Sequence, residues 1–248
     1  MTEPERTPRA AVVLLASGSG TRVGKDMSKA FLPLAGRPML SWSLARATQI
    51  PTVTQIVVVI PERDQELAQR VLTNEPCATM AVRTVTGGNT RHESEWRALR
   101  ALAPDIHAGR FDVVVIHDAA RPLAGSQLFE DVIAGAYTHG GALPARAVTD
   151  LIGEETSHPP PPGDLMAVQT PQAFRAAALL KAYELAGAAG FAGTDTASCV
   201  ERFSDLEVHW VPGSAQNIKI TFPDDLRLAE LLLAKSVRDL PDQPGGQP

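Results

Sequence analysis

Ala10-Ala11-Val12-Val13-Leu14-Leu15-Ala16 runs directly into Ser17-Gly18-Ser19-Gly20-Thr21-Arg22-Val23-Gly24. An unbroken apolar run of this length, with no polar alternation, reads as a strand buried on both faces, and burial on both faces calls for helices above and below a parallel sheet. Working outward, further short runs at 53–60, 81–85 and 111–116 are rich in Val and Ile. Stretches of helical period separate them: Pro38 leads 39–48, Pro61 leads 62–72, and 91–102 carries Trp96 and Leu99 three residues apart. The alternation predicts an α/β fold, a Rossmann-like three-layer sandwich around a mainly parallel, mixed sheet.

A chain of 248 residues with 44% hydrophobic side chains buries one full core, so a single domain over 10–236 is expected. Residues 1–9 are charged, contain proline and have no apolar segment behind them, which reads as a flexible N-terminus without a leader; 237–248 read as a disordered tail. A net charge of -5 argues against a basic surface for nucleic acid, while leaving room for a local cationic pocket. No run approaches the roughly 18 apolar residues of a membrane span, so a soluble cytoplasmic protein is expected. Cys77 and Cys199 lack metal-ligand spacing and read as reduced structural thiols.

After Ala147 the pattern breaks. Residues 148–165 hold acids, Ser157 and the run Pro159-Pro160-Pro161-Pro162, which suits neither a helix interior nor a central strand, so a protruding arm is expected there. Order is expected again at 167–170, followed by a helix over 173–187, a short helix from about 195, strands near Val208 and Ile218, and a helix over 224–234.

Ligands of an open parallel sheet sit beyond the carboxyl ends of its strands, which singles out the loop after the first strand. Its glycines bring backbone N–H groups close to phosphates, and Arg22 and Lys29 supply cations. The spacing is neither a dinucleotide fingerprint, because Val23 stands where a third glycine belongs, nor a P-loop, because Ser19 occupies its first glycine. His117-Asp118-Ala119-Ala120-Arg121-Pro122 closes the fourth run and puts a carboxylate and a guanidinium at the same edge, where such charges belong beside a ligand.

With Gly87-Gly88-Asn89-Thr90-Arg91-His92-Glu93-Ser94, Gln169-Thr170-Pro171-Gln172, Thr194-Asp195-Thr196-Ala197-Ser198 and Asn217-Ile218-Lys219, the order of motifs over residues 10–230 resembles the 2-C-methyl-D-erythritol 4-phosphate cytidylyltransferases of the non-mevalonate isoprenoid pathway. The resemblance implies transfer of CMP from CTP to 2-C-methyl-D-erythritol 4-phosphate, giving 4-diphosphocytidyl-2-C-methyl-D-erythritol and pyrophosphate. By it, Arg22, Lys29 and Lys219 are catalytic. Ala16, Ser17, Gly18, Ser19, Gly20, Gly88, Asn89, Ser94 and Asp118 would hold the nucleotide, and Asp118, Arg121, Asp150 and Lys219 the acceptor. It further implies Mg2+ or another divalent cation beside Asp118, and a homodimer embraced by the arm. The alternatives are a cytidylyltransferase for another polyol phosphate, such as ribitol 5-phosphate, and a nonenzymatic nucleotide-binding homologue.

The sequence also departs from that pattern. Asp150-Leu151-Ile152-Gly153 replaces Asp-Thr-x-Lys, and the stretch just before Gln169 offers Pro162-Gly163-Asp164 and no arginine, so the acceptor phosphate lacks donors unless Arg146, Arg175 or another residue supplies them. Ser28 stands where a proline precedes the lysine, Asn89 where an acid is common, and Glu95 where an apolar residue is usual.

Overall fold

The first strand, β1 (Ala10–Leu15), is buried along its whole length. Ala10, Val12 and Leu14 join one apolar cluster and Ala11, Val13 and Leu15 the other, as a two-residue period requires of a strand covered on both faces. The computed structural model describes residues 6–18, 28–75, 82–148 and 165–238. Ser19, Gly20, Arg22, Cys77 and Asp150 lie outside these residues, as do most of the predicted arm and the tail beyond 238.

From a 3-10 turn at Lys29–Phe31 the chain passes a small ribbon, β2 (Pro33–Leu34) with β3 (Arg37–Pro38), then α1 (Met39–Thr48), β4 (Val53–Ile60), α2 (Gln65–Asn74) and β5 (Val82–Thr86). It returns through α3 (Arg91–His107) to β6 (Val113–Asp118). Strands β4 and β6 flank β1, both parallel to it, so the chain builds away from β1 on one side and comes back on the other. That reversal between β1 and β6 is where an open α/β sheet leaves a crevice for ligand.

The second half adds α4 (Ser126–His139), β7 (Gly140–Ala147), β8 (Met166–Val168), β9 (Gln172–Arg175), α5 (Ala176–Ala188), α6 (Thr196–Phe203), β10 (Glu207–Pro212) and α7 (Pro223–Arg238). The sheet order is β10-β7-β9-β6-β1-β4-β5, with β8 on β7, and β9 runs antiparallel to both of its neighbours. Leu44 of α1, Val71 of α2 and Phe129 of α4 cover one face; Leu99 of α3, Leu179 of α5 and Val200 of α6 cover the other. The three layers are those predicted.

Three expectations need correction. The helix placed at 173–187 begins at Ala176, because Gln172–Arg175 forms β9; a four-residue buried run cannot be told from a helix start by periodicity. No strand forms near Ile218. Residues 217–220 instead cross the end of β6, where Ile220 N–H donates to Ala120 O (2.8 Å), and Asn217 and Ile220 are buried. The helix placed at 62–72 starts with a 3-10 turn, Glu62–Asp64, before α2. At the N-terminus, Arg6 bonds to Asp112, and Arg9 N–H donates to Asp112 Oδ2 at 2.8 Å.

The α4–β7 packing generates a test. Glycine to alanine within a helix normally gains up to about 1 kcal/mol. At Gly135, however, a Cβ would lie 2.9 Å from Ala142 Cβ, which cannot swing away. Gly135→Ala is therefore expected to lower unfolding free energy by about 1–3 kcal/mol in urea titrations, and Ala142→Gly in the same chain to recover most of that loss.

Candidate active site

The carboxyl ends of β1 and β6 lie side by side, Leu15 opposite Asp118, and open into a cleft of about 390 Å3. Ala16, Ser17 and Gly18 form one wall, and Gly88, Asn89 and Arg91 another. Lys29, Asp118 and Lys219 also face the cleft. Among the described residues lining it, three are cations and one is a carboxylate, in a chain whose net charge is -5. That local inversion of charge suits a polyanion.

Asp118 is the hub. It is 5% exposed, and Lys219 Nζ lies 2.8 Å from its Oδ2 while Arg91 Nη1 bonds to its Oδ1. Burial works against the charge, but Arg91 and Lys219 outweigh it and hold the carboxyl well below its usual range. Its backbone N–H donates to Thr170 Oγ1 at 3.0 Å, and the same hydroxyl lies 3.1 Å from His117 Nδ1. His117 is wholly buried; desolvation pushes its imidazole down to about 3, so it is neutral at any ordinary pH.

The motifs around Gln169 and Asn217 bind each other. Gln169 Nε2 donates to Ser214 O at 2.8 Å, Asn217 Nδ2 to Thr170 O at 2.9 Å, and Arg121 Nη1 to Asn217 O at 2.7 Å. Lys29 Nζ donates to Ile220 O at 3.3 Å. One short segment, 217–220, thus brings Lys219 to Asp118 and meets Lys29. Arg121 is half-buried against Asn217, beside the residues that line the cleft.

On the opposite wall Ser94 Oγ accepts the Gly88 N–H at 3.0 Å and lies 3.0 Å from Ser17 Oγ, joining the glycine segment to the loop after β1. Thr90 caps α3 by accepting from Glu93 N–H, and Glu93 Oε2 accepts from Asn89 N–H at 2.8 Å. Gly87 is tight: a Cβ there would lie 2.7 Å from Ser17 Cβ.

Arg91 and Glu95 were not among the predicted site residues. The signal was available in Arg91, a cation in the first turn of a helix, where the macrodipole disfavours one.

Residues 10–235 match the family model for 2-C-methyl-D-erythritol 4-phosphate cytidylyltransferase. The chain belongs to this family. The family's Solibacter usitatus member is 38% identical over 240 residues, spanning 91% of this chain and 96% of its own length. The Symbiobacterium thermophilum member is 39% identical, spanning 92% and 94%. Among solved structures, the Anaerococcus prevotii 4-diphosphocytidyl-2C-methyl-D-erythritol synthase superposes with a TM-score of 0.78 at 27% identity, covering 92% of this chain and all of that one. The cytidylyltransferase from Thermus thermophilus gives 0.67 at 30% identity, covering 90% and 98%.

Within this cytidylyltransferase family, the departures noted above acquire physical form. Ser28 takes φ -62, an angle a proline also adopts, yet its N–H donates to the buried Asp64 Oδ2 at 3.2 Å, a bond proline lacks. Arg175 is no substitute phosphate donor. It pairs with Val113 at the far end of β6, its guanidinium stacks 4.4 Å from the Tyr137 ring centre, and it bonds to Tyr137 O. Arg146 is exposed near the carboxyl end of β7, on the same edge of the sheet as Asp118. Cys199 is buried and, by burial and then by the Glu95 charge, pushed up to about 12, so it is an inert thiol.

Two measurements follow. Ser28→Pro stiffens the unfolded chain but removes the N–H bonded to the buried Asp64 carboxylate, which keeps only the longer Arg63 Nε contact at 3.8 Å to that oxygen; a bond to a charged group outweighs the proline gain, so a net loss of about 1–2 kcal/mol is expected. With Asp64→Ala already present, the same substitution should turn neutral or stabilising. Separately, the unfolded chain protonates His117 near 6.5 whereas the folded one resists until about 3. Stability is therefore full above pH 6.5 and falls as pH drops towards 3. Near pH 5, His117→Asn should flatten the slope of unfolding free energy by about 1.4 kcal/mol per pH unit; an unchanged slope contradicts the burial of a neutral imidazole.

Proposed function

We propose that this chain transfers CMP from CTP to 2-C-methyl-D-erythritol 4-phosphate, releasing pyrophosphate. The observation that carries the reading is the cationic cleft at the β1–β6 reversal, with the glycine loop on one side and the Asp118–Lys219 pair on the other.

An oxygen of the acceptor phosphate attacks the α-phosphorus of CTP in line. One P–O bond forms, the bond to the β-phosphate bridge breaks, and pyrophosphate leaves with the electron pair. Lys29, with Arg22 from the loop after β1, neutralises the charge that grows on the triphosphate, and nearly all the catalysis is positioning and electrostatics. Ser17 to Gly20 would offer backbone N–H groups to the phosphates, while Ala16, whose own N–H donates to Val59 O at 2.8 Å, lines the cleft and Gly88, Asn89 and Ser94 receive the nucleoside. The N–H groups of Gly88 and Asn89 are already engaged within the segment and so are not spare donors for cytosine O2 and N3, while the cytosine amino group, itself a donor, calls for acceptor oxygens. Asp118, Arg121 and Lys219 receive the acceptor, with Asp150 from the arm. Arg146, exposed on the same edge of the sheet, is the candidate to supply the phosphate donor that the altered arm sequence omits.

Mg2+ fits this donor set. Asp118 is the sole carboxylate among the described lining residues; with Arg91 on one oxygen and Lys219 on the other, it would hold Mg2+ through the oxygen that Lys219 releases, and the ion would supply charge neutralisation to the departing pyrophosphate. We infer a homodimer from the family and from exposed apolar groups on the two strands that flank β7, Trp210 of β10 at 63% and Val168 of β8 at 45%. We infer a cytoplasmic location, supported by the absence, among the described residues, of any helix long and apolar enough to cross a membrane.

Pyrophosphate release from CTP and Mg2+ tests the reading. Robust turnover with 2-C-methyl-D-erythritol 4-phosphate is expected, and Lys29→Ala should lower kcat on the order of 10^2 to 10^3-fold while leaving the protein folded. Turnover with ribitol 5-phosphate alone would reassign the acceptor. Silence with both, despite CTP binding, would leave a nucleotide-binding protein.

A further inference from the structure

Glu95 has no exposed surface. A carboxylate in such a place is costly unless its charge is paired and its oxygens are bonded. Here Arg91 Nε lies 2.9 Å from Oε1, Thr196 Oγ1 donates to Oε1 at 2.9 Å, and the Tyr183 hydroxyl donates to Oε2. The two hydroxyls come from α6 and α5, so Glu95 is gripped from behind; burial pushes its carboxyl up, and Arg91, its one ion-pair partner among the described cations, together with the two hydroxyls, opposes that shift.

Arg91 spans two carboxylates, Glu95 through Nε and Asp118 through Nη1. Lys219 reaches the other oxygen of Asp118 from the open side of the cleft, with its side chain 46% exposed against 22% for Arg91. The two counter-ions of Asp118 are therefore unlike. One is anchored by a second, buried carboxylate, and the other stands on a short segment at the cleft edge.

We propose that Glu95 is a positioning residue, anchoring Arg91 on Asp118 so that Asp118 keeps a counter-ion when Lys219 turns from it to the phosphate of the incoming acceptor. This rests on the transfer reading above. Without the anchor, Asp118 depends on Lys219 for its neutralisation, and the acceptor must draw the lysine away from a buried carboxylate. The penalty falls on acceptor binding, whereas the CTP phosphates are met chiefly by Lys29 and the loop after β1.

The test varies CTP and 2-C-methyl-D-erythritol 4-phosphate separately in the pyrophosphate-release assay. Glu95→Val alone strands two hydroxyls, so it is combined with Tyr183→Phe and Thr196→Val, which replaces the cluster by apolar groups of similar shape. Arg91→Lys is the second variant: it keeps the charge but lacks the fork that spans both carboxylates. Both are expected to raise KM for the acceptor about tenfold or more while leaving KM for CTP within about twofold. Glu95→Gln keeps the shape of the side chain but not the charge that faces Arg91, so it should raise KM for the acceptor in the same direction while leaving KM for CTP within about twofold. Folded variants with an unmoved acceptor KM, or with both KM values raised alike, overturn the proposal. An inactive wild type overturns the transfer reading and this proposal with it, whereas an active wild type with unaffected variants sinks the proposal alone.

Discussion

The site is organised by a carboxylate that the sheet places in the wrong dielectric for its charge. Asp118 ends a fully buried strand, and a lone ion there would be penalised by several kcal/mol. Arg91 and Lys219 make it tolerable, and each has to be delivered to within hydrogen-bonding reach by a different part of the chain. Arg91 arrives in the first turn of α3, which Thr90 caps. Lys219 arrives on the segment that Gln169, Thr170 and Arg121 tie down. Buried ion pairs add little net stability, so the arrangement is better explained by what the cleft binds than by folding energy.

Much of this was legible in the sequence. The run 10–16 and its Val-rich companions determine a parallel sheet, and a parallel sheet puts the loop after β1 and the end of β6 at one edge. Asp118 and the residues after β1 therefore share an edge by topology alone, while their direct adjacency comes from the pairing of β6 with β1. What remained hidden depends on side chains meeting across long sequence distances. Four buried residues, Gln172–Arg175, carry no period that separates strand from helix. Residues 217–220 look like a strand because Ile218 and Ile220 alternate with polar neighbours, yet their partners are side chains and the end of β6 rather than a sheet ladder.

The departures from the family pattern are similarly local in sequence and nonlocal in effect. Ser28 exchanges the stiffness of a proline for a bond to Asp64, and Glu95 exchanges an apolar contact for a charge that Arg91, Tyr183 and Thr196 satisfy. Each substitution reads as a weakness when seen alone. In the fold each has its partner, supplied from 36 residues away for Ser28 and from 88 and 101 residues away for the two hydroxyls on Glu95. A pattern of residue types cannot carry that information, because the compensating groups lie on other elements.

The most direct test of this account is the ionisation of Asp118 itself, followed by the carboxyl carbon shift of labelled aspartate and assigned with Asp118→Asn. Clamped between Arg91 and Lys219, the Asp118 signal should remain that of a carboxylate as pH falls through the range centred on about 3.9 in which a model-peptide aspartate titrates. An Asp118 signal that titrates in that range, or above it, would mean that the two cations do not hold it, and the organisation of the cleft described above would fail.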